Sequence, residues 1–374
     1  MSIKIPQNIQ DLKPYAAGKP ITELAREKGL TKIVKLASNE NPLGPSPLAI
    51  KAVQQALSNL HRYPDPHAYE LTQALAQKYH KPPSQWISGS GTDALLAYAV
   101  NAFTEPTDEV LTSNGTFIGI YVNVLKLGRK LKLVPLKNYA YDLPAILKAI
   151  TSKTKLIYLS NPNNPTSSVF TRSEFELFMK YVPKNILVIL DEAYAIYVAS
   201  HLDYPNGLTY SYDNLIVTRT LSKTYGLAGL RVGFAWGPEV LIQNMYKVKL
   251  PFEPSYLAQV AVAAALHDNA FVQETVATNQ RNLPKLLHTL DQLGIEHTQP
   301  TANFFMMILP TEELAAQFCS DCLDQGLIIR HVKAFGIPNG IRINSGTNEE
   351  TDFACEVIKK VHGQLNKITL RQRI

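Results

Sequence analysis

Lys223 lies in the run Ser222-Lys223-Thr224-Tyr225-Gly226-Leu227-Ala228-Gly229-Leu230-Arg231, an amine inside a Ser/Thr/Gly loop with an arginine eight residues on. Two polar clusters precede it, Asn161-Pro162-Asn163-Asn164-Pro165-Thr166 and Asp191-Glu192-Ala193-Tyr194. These residue types divide the work of holding a phosphorylated heteroaromatic aldehyde. A lysine whose pKa is lowered by burial condenses with an aldehyde to a Schiff base. A carboxylate such as Asp191 keeps a pyridine nitrogen protonated, which makes the ring a stronger electron sink. Asn164 and Tyr194 offer hydrogen-bond donors to a ring oxygen, and Arg231 offers a bidentate cation to a phosphate. Singly, each signal is weak: most lysines are surface charges, and an Asp after a strand is commonly a helix cap. Jointly, and in this order, they call for pyridoxal phosphate.

A phosphate also needs a cup. Trp86-Ile87-Ser88 reads as a strand tip, followed by Gly89-Ser90-Gly91-Thr92 and a helix from Asp93 to Phe103. Backbone N–H groups at that helix start, with the Ser90 and Thr92 hydroxyls and Ser222 from the lysine loop, suit a dianion. The Gly-x-Gly lacks the third glycine of a dinucleotide fingerprint. Phe117 can supply an aromatic face to stack on a ring, and reads equally well as a core side chain.

The elements that must position these residues alternate. Glu109–Leu111, Leu131–Val134, Leu156–Ser160, Ile186–Leu190, Leu215–Thr218 and Val232–Ala235 read as short buried strands. Helical stretches separate them, one announced by the capping box Thr171-Arg172-Ser173-Glu174. The pattern predicts an α/β fold with a mostly parallel sheet covered on both faces, its ligand beyond the carboxyl ends of the strands. Asn164, Asp191 and Lys223 each follow a predicted strand. A helical stretch from Leu257 runs toward Leu290, broken at Pro284. Beyond about Gly294, Phe304–Leu309, Thr311–Gln325, Gly326–Arg330 and Gly340–Asn344 read as a smaller α+β domain. The expected division is residues 1–45 as an N-terminal arm and part of the small domain, 46–275 as the large cofactor-binding domain, and 276–374 as the small C-terminal domain.

Bulk properties narrow the class. At 374 residues, 45% hydrophobic and 18% charged, the chain has the composition of an ordinary soluble globular protein. Its formal charge of +6 is spread without a long basic run, so nucleic acid is not an expected partner. Met1 to Gln10 lacks a signal-peptide pattern and no apolar stretch spans a bilayer, which points away from membranes. Three cysteines fit a reducing, cytoplasmic setting. Cys319 and Cys322 form a lone CxxC inside a helical pattern. Further soft ligands are missing, so no metal is expected there.

Longer motifs complete the picture. They are Leu12-Lys13-Pro14-Tyr15 with Gly18-Lys19-Pro20, the run Leu36-Ala37-Ser38-Asn39-Glu40-Asn41-Pro42-Leu43-Gly44-Pro45-Ser46-Pro47, Arg62-Tyr63-Pro64-Asp65, and Gly340-Ile341-Arg342-Ile343-Asn344-Ser345-Gly346-Thr347. With the three central clusters, they make the chain resemble the fold-type I pyridoxal-phosphate-dependent aminotransferases over nearly its whole length, and most closely their branch acting on histidinol phosphate. The resemblance implies that Lys223 carries the cofactor and shuttles a proton. It implies that Asp191 pairs with the pyridine nitrogen, that Asn164 and Tyr194 bond the ring oxygen, and that Ser90, Gly91, Thr92, Ser222 and Arg231 hold the phosphate. Tyr63 is expected to reach the phosphate of a neighbouring subunit, giving a homodimer with composite sites. Tyr15, Asn39, Arg330 and Arg342 match substrate-contacting positions. The implied reaction, a step of histidine biosynthesis, exchanges histidinol phosphate and 2-oxoglutarate with imidazole acetol phosphate and glutamate. An aromatic amino acid aminotransferase and a decarboxylase of a phosphorylated amino acid are rival readings, as is a non-enzymatic module that keeps the fold. Two departures stand out: Ser167 replaces the usual glycine after Asn-Pro-Thr, and Ile120 replaces a tyrosine three residues after Phe117, with Tyr121 one later.

Overall fold

The protein is described here by a computed structural model covering residues 3–12, 21–198 and 202–371. Strand β1 (Val34–Lys35) precedes the large sheet, which is built from β2 (Trp86–Gly89), β3 (Glu109–Ser113), β4 (Lys130–Val134), β5 (Thr154–Ser160), β6 (Leu187–Asp191), β7 (Leu215–Thr220) and β8 (Gly233–Trp236). These seven strands lie in the order β2-β8-β7-β6-β5-β3-β4. The β6 sequence, Leu-Val-Ile-Leu-Asp, is buried on both faces, as a central parallel strand requires. Pairing is parallel from β4 through β3, β5 and β6 to β7, while β8 runs antiparallel to both β7 and β2. The link from β7 to β8 has only a short 3₁₀ turn, Ala228–Leu230, and no helix to carry a parallel crossover. The chain therefore turns back on itself around Lys223.

Register places the chemistry. Ser160 pairs with Asp191, and Asp191 pairs with Thr218, so the carboxyl ends of β5, β6 and β7 lie side by side. The loops that leave them carry Asn164, Tyr194 and Lys223.

A second sheet follows, from β9 (Glu296–His297), β10 (Phe304–Ile308), β11 (Leu327–Ile328), β12 (Arg330–His331) and β13 (Gly340–Asn344), but β11 does not belong to it. Four strands form the antiparallel order β12-β13-β10-β9, and β11 pairs in parallel with β1 instead. The stretch Gly326–Arg330, expected as one strand, thus changes sheets at Ile329. Helices Glu312–Asp324 and Asn348–Arg371 flank this unit, and Cys322 packs in its apolar core beside Phe318 and Ile358.

The capping box forms as the sequence predicts, with Thr171 and Glu174 bonded reciprocally ahead of helix Arg172–Tyr181. The expected break at Pro284 does not occur. Helix Asn269–Leu293 runs straight through it, and the interruption falls earlier, after Ala265, where the Asp268 side chain caps the Phe271 N–H at 3.3 Å. Pro284 and Gln280, whose carbonyl loses its helical partner, are both exposed, so water can replace the missing bond.

Beside Asp191, fully buried Glu192 accepts from Arg219 Nε at 3.0 Å and Nη2 at 2.6 Å, and from the Gly207 N–H at 2.6 Å. This pair ties the end of β7 to the end of β6. Glu192→Leu should leave the Arg219 cation without its carboxylate and cost about 3–5 kcal/mol. A denaturant-unfolding midpoint unchanged from wild type would contradict that.

Candidate active site

Between the carboxyl edge of the large sheet and the second unit lies a cleft of about 270 Å³. Lys223, Asp191, Asn164 and Tyr194 line it together, with Asn39 on the opposing wall. Lys223 is half-buried, and its Nζ donates to the Ser38 carbonyl at 3.1 Å. Burial, reinforced by the Arg342 charge, pulls its pKa down to about 8, against an opposing pull from Glu40. An amine so poised gives and takes a proton near neutral pH.

Asp191 is 3% exposed at the tip of β6. Its Oδ2 accepts from the Tyr158 hydroxyl at 2.8 Å and its Oδ1 from the Ala193 N–H at 3.2 Å. Burial pushes its pKa up to about 6 even though these donors favour the charged form. A cationic N–H arriving from the cleft would supply the missing counter-charge.

The glycine cup closes over one end. Gly91, at φ 84°, precedes helix Thr92–Phe103, and a Cβ there would fall 2.7 Å from Arg231 Nη2. Arg231 itself sits at φ 51° and is exposed, 3.7 Å from Asp93. The buried Thr92 Oγ1 has no hydrogen-bond partner among the described residues. Thr92, Ser222 and Arg231 line the cleft, whereas Ser90 and Gly91 form the backbone behind it. A spare hydroxyl, a helix start and a guanidinium fit a phosphate dianion.

At the other end stand two arginines. Arg330 on β12 is directly opposite Arg342 on β13. Arg342 is buried; its Nη1 donates to Asn164 Oδ1 and its Nη2 to the Ala37 carbonyl, both at 2.6 Å. Like charges facing across a strand pair repel, and an anion between them reverses the sign. Asn39, at φ 55°, donates through Nδ2 to the Tyr194 hydroxyl at 2.8 Å, while its Oδ1 lacks a partner among the described residues. The Tyr194 ring is held edge-on against Phe304, centroids 4.8 Å apart.

Other expected residues are placed less centrally. Phe117 lines the cleft, but Ile120 is in the apolar core, and Tyr121 donates its hydroxyl to the Ser113 carbonyl at 2.7 Å. Neither substitutes for the other as a cleft residue. Tyr63 is 82% exposed and stacked on Phe252, outside the cleft of its own chain. Tyr15 lies outside the described residues. Sequence reasoning missed Glu40, Asp93 and Phe335, which also line the cleft, and Tyr158 behind Asp191. Tyr158 was detectable in principle, because it shares a strand face with Ser160, two residues on.

Fold and cleft together define a transferase of amino groups, and the chain belongs to the family described as aminotransferase class I and II, which it matches over residues 31–358. Its curated relatives are more particular. A histidinol-phosphate aminotransferase 2 of Hydrogenovibrio crunogenus is 42% identical over 95% of each chain. A histidinol-phosphate aminotransferase 1 of Mannheimia succiniciproducens is 39% identical over 94% of this chain and 96% of its own. Among solved structures, the Sinorhizobium meliloti histidinol-phosphate aminotransferase in complex with pyridoxal-5'-phosphate superposes with a TM-score of 0.90 at 27% identity, covering 98% of this chain and 99% of that one. An aspartate aminotransferase of Thermus thermophilus shares the fold at a TM-score of 0.83 and 22% identity, over 96% of this chain and all of the other.

The raised Asp191 pKa carries a stability consequence. In the ligand-free protein its folded value, about 6, exceeds the ordinary 3.8, so the folded state binds the extra proton between those values. Below that window the acid is neutral in both states, and above it the buried charge opposes folding. Ligand-free Asp191→Asn should therefore be more stable than wild type above pH 6, by about 1–2 kcal/mol after the loss of one hydrogen bond. The advantage should fade as pH falls from 6 toward 4. Denaturant titrations at both pH values test this, and an equal difference at both would refute it.

Proposed function

We propose that this chain is a pyridoxal-phosphate-dependent transaminase that exchanges histidinol phosphate and 2-oxoglutarate with imidazole acetol phosphate and glutamate, in histidine biosynthesis. The observation that carries the reading is a cleft with arginines at two places, Arg231 beside Thr92 and Arg330 opposite Arg342, and between them a lysine of lowered pKa. One site suits the phosphate of the cofactor. The other suits the phosphate of one substrate and the carboxylate of its counterpart in turn.

The residues present fit that cofactor. The unpartnered Thr92 hydroxyl and the glycine at 91 favour a phosphate close to the helix start, together with Ser90, Ser222 and Arg231. Asp191 provides the charge for a pyridine nitrogen, and Phe117 an aromatic wall. The donor-only Arg342 engages Asn164 Oδ1, which turns the amide nitrogen of Asn164 to donate elsewhere, as a ring oxygen requires. The Tyr194 hydroxyl, oriented by the Asn39 amide that donates to it, is assigned to the same oxygen. When bound, pyridoxal phosphate supplies the electron sink for charge left at the substrate carbon. Lys223 Nζ would take the proton from Cα of the amino donor and give it up to the cofactor, and run the same transfer in reverse in the second half-reaction, a task for which a pKa near the working pH is best. Asn39 and Tyr15 are assigned to the substrate side.

We assign the working unit as a homodimer. Tyr63 and Phe252 sit among other exposed apolar side chains, Leu57, Leu60, Tyr69 and Leu250, on segments joined by the Lys249 contact to the Pro66 carbonyl. A second copy covering this patch would receive Tyr63 at its own phosphate cup. A cytoplasmic setting belongs to the same reading, supported by three free cysteines.

With glutamate as donor, imidazole acetol phosphate should exceed phenylpyruvate and 4-hydroxyphenylpyruvate in kcat/KM by at least about tenfold, since only it presents a phosphate to the arginine pair. Equal values would remove the substrate assignment. Lys223→Ala should fold yet lose at least about 10³-fold in turnover. Normal turnover in that variant would end the mechanism.

A further inference from the structure

Ser167 stands in left-handed backbone, φ 62°, a conformation that favours glycine, and it is fully buried. Its side chain makes contacts no glycine could. The hydroxyl oxygen accepts the N–H of Thr301 at 2.9 Å and of Ala302 at 3.1 Å, filling both lone pairs. The Thr301 hydroxyl in turn donates to the Ser167 carbonyl. Thr301 and Ala302 lead into β10 of the second sheet, whereas the Asn161–Ser167 loop leaves β5 of the large one.

That loop is already fastened to its own sheet. Asn163 accepts from the Thr116 hydroxyl at 2.7 Å and donates to the Gly115 carbonyl at 2.9 Å. What Ser167 adds is a tie across to the second unit. The tie continues there: the Ala302 carbonyl accepts from Asn279 at 3.2 Å, and Asn279 accepts from the Ser345 hydroxyl at 2.6 Å, three residues beyond Arg342. Arg342 closes the ring by donating to Asn164, three residues before Ser167. Two loops and two units are thereby linked in one circuit of hydrogen bonds, which reaches the cleft wall at Asn164 and Arg342.

We propose that Ser167 is a positioning residue whose hydroxyl fixes the Thr301–Ala302 segment to the Asn164 loop and so holds Arg342 at its working distance from Asn164. It touches neither substrate nor cofactor. The kinetic part of the proposal rests on the transaminase reading given above, whereas the tie itself does not.

The test compares Ser167→Ala with Ser167→Gly in the cofactor-loaded protein. Alanine removes the hydroxyl and keeps the backbone constraint; glycine removes the hydroxyl and relieves that constraint, so at least one variant folds. Amide hydrogen exchange at Thr301 and Ala302 needs no turnover and should accelerate by roughly tenfold in both. KM for the amino donor should rise several-fold, roughly three to ten, in both variants, with kcat within about twofold. Unchanged exchange would overturn the tie, whatever the kinetics. Faster exchange with unchanged KM would overturn the positioning role and leave the transaminase reading intact. A KM restored by glycine but not by alanine would also overturn it, because backbone relief alone would then account for the effect.

Discussion

Two groups of opposite charge, the Lys223 amine and the Asp191 carboxyl, line one cleft without an ion-pair partner among the described residues, and the rest of the structure is arranged around that constraint. Burial pulls the amine down to about 8 and the acid up to about 6. Neither group is satisfied by the protein alone: the amine has a carbonyl, the acid a phenol and one amide. The sheet register makes the arrangement possible, because β5, β6 and β7 end in line and let three loops project into one space. The Glu192–Arg219 pair pins two of those ends immediately behind the site.

The opposing wall is organised by Arg342. It is held by a carbonyl and a side-chain amide, neither of which cancels its charge. Both contacts fix its geometry in the wall of the cleft. The amide contact also orients Asn164, so an arginine of the second sheet and an amide from the large one are set by one hydrogen bond. Asn39 plays the matching part for Tyr194, reaching from a strained backbone position to fix the hydroxyl proton of that tyrosine.

Much of this was legible from residue types. Apolar runs followed at once by Asn161, Asp191 or Ser222 mark buried strands with polar tips, and burial on both faces follows from their composition. Residues that act through backbone or through distant pairing were not legible. Nothing local in Val232–Ala235 tells the direction of β8, which depends on what its connection lacks. Nothing local in Gly326–Arg330 tells that it serves two sheets. Pro284 misled because the rule against internal prolines assumes a buried carbonyl partner, and the helix offers an exposed one. Ser167 could be marked as a departure, but its partners lie 134 and 135 residues away.

The pairing of Val34–Lys35 with Leu327–Ile328 bridges almost the whole chain, and Ser38, Asn39 and Glu40 extend directly from it into the cleft. One wall of the cleft is thus anchored by a strand whose partner lies far along the sequence. The seven strands of the large sheet all fall within residues 86–236, so the tip of β6 that carries Asp191 is set independently of that pairing, and the cleft gains its second wall only where segments far apart in the sequence meet.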